Sequence, residues 1–148
     1  MVTLKFADPD VTANGKPRAW VDLTELETLW FNTGTLCNIQ CEHCYIESSP
    51  TNDRLVYLTL ADVRSYLDEI ADEGLGTRQI GITGGEPFMN PDIIPIIELI
   101  LERGFKLLVL TNAMKPMEHK RDALMNMLSR FGSQIVLRIS VDHYTKAR

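Results

Sequence analysis

No cysteine lies outside residues 37–44, where the chain keeps all three that it has, in "CNIQCEHCY". Three thiols cannot all pair with one another. That excludes a disulfide framework, and thiols clustered this closely point to metal or redox chemistry in a reducing compartment. The chain also lacks a basic excess. Its 15 Lys and Arg against 20 Asp and Glu leave a formal charge of −5, which removes the electrostatic reason to expect nucleic acid or an anionic membrane surface as partner. No apolar run is long enough to span a bilayer, for the longest, "DIIPIIELIL", is interrupted by Pro95 and Glu98. The opening "MVTLKFADPD" has no basic stretch leading into an apolar one, so the expectation is a cytoplasmic chain without a secretion signal. Internal repeats and low-complexity tracts are absent too. What is there is 148 residues of ordinary globular composition, enough for one domain with a core.

Residues 1–27 read as a strand-like appendage. "VTLKF" and "RAWVDL" are short strand-like runs, with Asn14-Gly15 between them as a turn signal. From residue 28 to 148 the pattern is regular. "TLWFN" (28–32) reads as a buried strand, followed by the cysteine loop and the polar "ESSPTNDR". Thr59 caps a helix with Asp62 three residues on; Leu60, Val63, Leu67 and Ile70 share a face, and Gly74 ends it. "RQIGIT" (78–83) is the second strand. A helix from about 90–92 to Gly104, with Asp92 as its cap, tolerates Pro95 in its first turn. "KLLVLT" (106–111) is the third strand. A helix around 118–130 follows, with Leu124, Leu128 and Phe131 at helical spacing, and "QIVLRISVD" (134–142) is the fourth strand.

Strands alternating with helices in this way predict an α/β fold with a parallel sheet of about four strands joined by right-handed βαβ units. Ligands in such sheets sit at the carboxyl ends of the strands. Those ends carry the cysteine loop, "GGEP" (84–87), Thr111-Asn112, and Ser140-Val141-Asp142-His143. The opposite ends carry Thr28, Arg78, Lys106 and Gln134. One edge is thus marked as a site.

Three readings of the cysteines compete. Burial suits a lone thiol, but Asn38, Gln40, Glu42 and His43 make this a polar loop. A structural zinc site wants four ligands, usually as two pairs, and His119 and His143 are not paired at ligand spacing with anything. An iron–sulfur cluster is the third reading. Three thiolates on a four-iron cubane leave one iron without a protein ligand, open to a substrate.

The C-x3-C-x2-C spacing of "CNIQCEHC" resembles that of the radical S-adenosylmethionine (radical SAM) superfamily. "GITGGEPFMNPDI" is similar to that family's glycine-glycine-glutamate-proline motif after the second strand, and "LTNA" and "RISVDHY" resemble the ends of its third and fourth strands. The likeness runs from about residue 28 to the last residue. It implies a partial (β/α) barrel in which Cys37, Cys41 and Cys44 ligate a [4Fe-4S] cluster, with S-adenosylmethionine on the fourth iron. It also implies that His43 lies near the adenine, where an exposed loop residue is the plainer alternative. Gly84 and Gly85 would let the backbone approach the methionine amino group, and Glu86 would help hold that ammonium. Ser140 and Asp142 would reach the ribose or the methionine carboxylate. Asn112 would join them, unless it only caps the next helix.

The implied reaction is one-electron cleavage of S-adenosylmethionine to a 5′-deoxyadenosyl radical, which takes hydrogen from a substrate. A reductant such as flavodoxin or ferredoxin would supply the electron. The substrate is not identified, though the cysteine motif is similar to those of members that modify peptides or tetrapyrroles. Cores of the family have about six βα units, so residues 28–148 are expected to form the N-terminal part of such a core, and to self-associate or require a C-terminal segment. An iron–sulfur electron-transfer protein would not need "GGEP", and a structural zinc module would need a fourth ligand.

Overall fold

The computed structural model describes residues 8–22 and 24–141. Four parallel strands, β1 (Thr28–Asn32), β2 (Gln79–Thr83), β3 (Lys106–Thr111) and β4 (Ile135–Ile139), lie in the order of the sequence. Leu29, Ile80, Leu107 and Ile135 form one cross-strand row, and Phe31, Ile82, Val109 and Leu137 another. A sheet that adds every strand on the same side through right-handed crossovers places all its helices on one face. Both rows point to that face.

The helices are α1 (Leu60–Asp72), α2 (Ile93–Glu102), the single-turn α3 (Lys115–Glu118) and α4 (Arg121–Phe131). The capping box at α1 is formed as the sequence predicts. Thr59 accepts from the Asp62 N–H at 3.2 Å, and the Asp62 carboxylate accepts from the Thr59 N–H at 3.0 Å. The apolar α2 is the middle helix, packed between α1 and α4 against β3, which is why Ile93, Ile96, Ile97, Leu99, Ile100 and Leu101 are all buried. Asp92 precedes α2 but makes no side-chain cap there. Its carboxylate accepts from the Leu60 N–H at 3.1 Å and so caps α1.

Three expectations need correcting. The helix expected around 118–130 is two helices. Pro116 suits a first turn and opens α3 at Lys115, and the chain reorients at His119 and Lys120 before α4. Met127, 2 % exposed, takes the core position expected of Leu128, which is 36 % exposed. "RAWVDL" forms no strand among its described residues; the appendage holds one antiparallel bridge, Val11 to Pro17, around the Asn14-Gly15 turn. "VTLKF" lies outside the described residues.

The other face of the sheet carries Trp30, Gly81, Leu108 and Val136 in register. Trp30 is 45 % and Val136 54 % exposed. A Cβ on Gly81 would meet the Trp30 ring at 2.3 Å, so the glycine makes room for the indole.

Candidate functional site

The carboxyl edge of the sheet holds a cavity of about 580 Å³. Cys37, Cys41 and Cys44 all line it, with His43, Gly84, Gly85, Asn112 and Ser140. Eight residues marked from the sequence therefore meet in one place, although they come from four strand ends. Asp142 lies outside the described residues. Glu86 does not line the cavity.

The cysteine loop is held by the β2 exit. The Gly85 N–H donates to the Gly34 carbonyl at 2.9 Å and the Glu86 N–H to the Leu36 carbonyl at 3.0 Å, extending the β1–β2 ladder past the strands. The approach is so close that a Cβ on Gly85 would meet the Leu36 carbonyl oxygen at 2.2 Å. One on Gly84, whose φ is +137°, would meet the Gly34 oxygen at 2.8 Å. The two glycines are thus required by their own chain, whatever approaches from the cavity side. Farther out, the Cys37 N–H donates to the Ser49 carbonyl at 3.1 Å. The buried Asn90 amide donates to the carbonyls of Thr33 (3.2 Å) and Leu58 (2.8 Å), tying both ends of the loop.

Glu86 is buried at 1 % exposure. Its carboxylate accepts from the Phe88 N–H at 3.1 Å, the Thr111 hydroxyl at 2.8 and 3.0 Å, and the Asn112 N–H at 2.9 Å. The side chain ties the end of β2 to the end of β3.

Asn112 donates from Nδ2 to Asn38 Oδ1 at 2.9 Å and to Cys37 Sγ at 3.7 Å, while its Oδ1 accepts from the Met114 N–H at 3.1 Å. The side chain therefore closes a turn onto Met114 and faces the cavity, while α3, the next helix, has no side-chain cap. Cys37 is buried and Cys41 and Cys44 half-buried. Burial pushes the Cys37 thiol above its ordinary value. The Ile39 N–H opposes this, and the Glu86 and Cys44 charges add to it. Cys44 Sγ accepts from the Ser48 N–H at 3.3 Å.

Sequence reasoning missed several residues. Tyr45, directly after Cys44, lines the cavity with its hydroxyl 3.3 Å from that of Thr83. Thr83 is the last residue of its strand, a position that could have flagged it as Thr111 was flagged. Ser48 had no signal, yet the residue lines the cavity, and its hydroxyl is buried without a partner among the described residues.

The donor set fits an iron–sulfur cluster. Thiolates are the ligands such a cluster takes, one on each of its irons, and all three cysteines line the one cavity. The orphaned Ser48 hydroxyl is the kind of buried polar atom that a bound group would satisfy.

Fold and site together define a parallel α/β half-barrel with a thiol-lined cavity at its carboxyl edge. Residues 31–147 match the model of the radical SAM superfamily, and the chain belongs to that superfamily. It is 32 % identical over 106 residues to the antilisterial bacteriocin subtilosin biosynthesis protein AlbA of Bacillus subtilis (strain 168), a match covering 72 % of this chain and 22 % of AlbA. It is 34 % identical over 68 residues to the GTP 3′,8-cyclase of Pasteurella multocida (strain Pm70), covering 45 % and 20 %. The crystal structure of Streptococcus suis SuiB bound to precursor peptide SuiA shares the fold, with a TM-score of 0.61 at 21 % identity over 76 % of this chain and 24 % of SuiB. The chain thus spans between a fifth and a quarter of the length of these relatives.

Proposed function

We propose that residues 28–148 are the N-terminal part of the catalytic core of a radical SAM enzyme acting in the cytoplasm, with residues 1–27 as an appendage. The observation that carries the reading is the convergence of Cys37, Cys41 and Cys44 with Gly84 and Gly85 on one cavity, inside the matched region. The three thiolates would hold a [4Fe-4S] cluster and leave one iron open to the amino and carboxylate groups of S-adenosylmethionine. When bound, that pair supplies a one-electron cleavage to a 5′-deoxyadenosyl radical, which abstracts hydrogen from a substrate. The chain's own part is to bind and orient. His43 and Tyr45 offer rings along the wall for the adenine. Ser140 lines the same cavity, and it and Asp142 would serve the ribose or the methionine carboxylate. Glu86 acts at one remove, by fixing the β3 exit that carries Asn112. A reductant such as flavodoxin or ferredoxin is proposed to supply the electron.

A peptide is the favoured substrate class. The match to AlbA covers 72 % of the chain, against 45 % for the GTP 3′,8-cyclase of Pasteurella multocida and 51 % for a nucleotide dehydratase of Selenomonas ruminantium. Those two support a nucleotide as the second reading. Anaerobic reconstitution followed by paramagnetic resonance with and without S-adenosylmethionine tests the core claim. Iron and sulfide at cluster stoichiometry, with a spectrum altered by S-adenosylmethionine, is the expected result. Freshly purified protein holding stoichiometric zinc and no iron would refute it.

A further inference from the structure

We propose that Asn112 sets how readily the group on Cys37 is reduced, by donating a hydrogen bond from its side-chain amide to the Cys37 sulfur. The inference rests on the reading of the three cysteines as cluster ligands. It gives Asn112 a role distinct from contact with S-adenosylmethionine.

The orientation of the amide is determined by its neighbours. The Met114 N–H needs an oxygen and finds Asn112 Oδ1 at 3.1 Å. The –NH₂ is therefore turned to the other side, where it meets Asn38 Oδ1 at 2.9 Å and Cys37 Sγ at 3.7 Å. The backbone beneath is equally held. The Asn112 N–H is bound to the buried Glu86 carboxylate at 2.9 Å, and the Ala113 N–H, at a φ of +54°, to Thr111 Oγ1 at 3.0 Å. A donor fixed at this many points keeps its place when the charge on the sulfur changes. Such a donor interacts more strongly with the electron-richer, reduced state, so it raises the reduction potential of an iron–sulfur group. Cys44 accepts from the Ser48 backbone N–H, a donor that a side-chain substitution leaves in place. Asn112 offers a side chain through which the sequence can adjust the potential.

Asn112→Asp and Asn112→Ser separate this role from folding. Each keeps an oxygen for the Met114 N–H, a turn that Asp and Ser both support, and each loses the amide donor. The parent chain and both variants would be reconstituted anaerobically, assayed for iron and sulfide, and titrated against potential while the paramagnetic signal of the reduced cluster is followed. All three proteins should hold equal iron and respond to S-adenosylmethionine. At the parent's midpoint the ratio of reduced to oxidised cluster should fall about tenfold in Asn112→Asp, a shift of about 59 mV to more negative potential, and by less in Asn112→Ser. Unchanged midpoints with full iron in both variants would overturn the inference and leave the cluster reading standing. Loss of iron in both variants, with parent-like circular dichroism, would also overturn it by showing a role in assembly. A parent chain that takes up no iron would sink the cluster reading and this inference with it.

Discussion

Three donor groups from two stretches of chain converge on the Glu86 carboxylate, which is 1 % exposed. Removing it leaves the Thr111 hydroxyl proton and two N–H groups without an acceptor. Hydrogen bonds to charged groups contribute about 1.5–3 kcal/mol each, so Glu86→Ala should lower stability by roughly 3–5 kcal/mol, and Glu86→Gln by less. Urea unfolding of the metal-free chain measures this, and a loss under about 1 kcal/mol would contradict the account. Cys37 makes a prediction of opposite chemistry. Its folded-state thiol titrates above the ordinary 9.0 because it is buried. The neutral form is therefore favoured in the fold, and its stabilisation is complete below the unfolded value and lost as pH rises through the folded one. The metal-free chain should lose stability above about pH 9, and Cys37→Ser should flatten that decline. On the proposed reading iron would hold the thiolate in the cluster-bound protein, and replacing any one of Cys37, Cys41 or Cys44 by Ala should abolish stoichiometric iron and sulfide.

The β2 exit and the cysteine loop behave as one element, although about 50 residues separate them in sequence. Their contact is backbone on backbone, so it depends on absent side chains. Gly85→Ala would drive a Cβ to 2.2 Å from the Leu36 oxygen, and the loop must move to relieve it. The expected result is reduced iron content after reconstitution in a protein that keeps its helical circular dichroism; normal iron in Gly85→Ala would show the loop to be independent of the glycines. The helices answer to simpler rules. α1 was legible because Thr59 and Asp62 signal each other at a spacing of three and its apolar face repeats at helical period. α3 and the break before α4 were not legible, because "KPMEHKRD" carries no glycine and favours helix throughout except at Pro116.

At the scale of the molecule, helices cover one face of the sheet and leave the other partly open. Among the described residues no strand pairs with the outer edge of β4, where Val136 and Ile139 are 54 % and 55 % exposed. Exposed edges with apolar flanks promote association. The 148-residue chain on its own should therefore sediment as concentration-dependent oligomers, and Val136→Lys with Ile139→Lys should shift it towards monomer. It should release 5′-deoxyadenosine only slowly, because a cavity open to water lets a radical be lost to side reactions. A monomer with many coupled turnovers would overturn this.

The sequence by itself determined the strands, most of the helices and the edge where chemistry gathers. Those depend on local periodicity, on caps and on the rule that parallel strands present ligands at their carboxyl ends. It also determined the three thiols and the two glycines, because residue type and spacing carry that information. Only the tertiary structure decided which way the polar side chains face. Glu86 and Asn112 are 26 residues apart, and nothing local says that one carboxylate will be enclosed by the β3 exit while the neighbouring amide reaches a cysteine sulfur. Burial decides that, since a polar group shut away from water takes whichever partners the packing brings within reach.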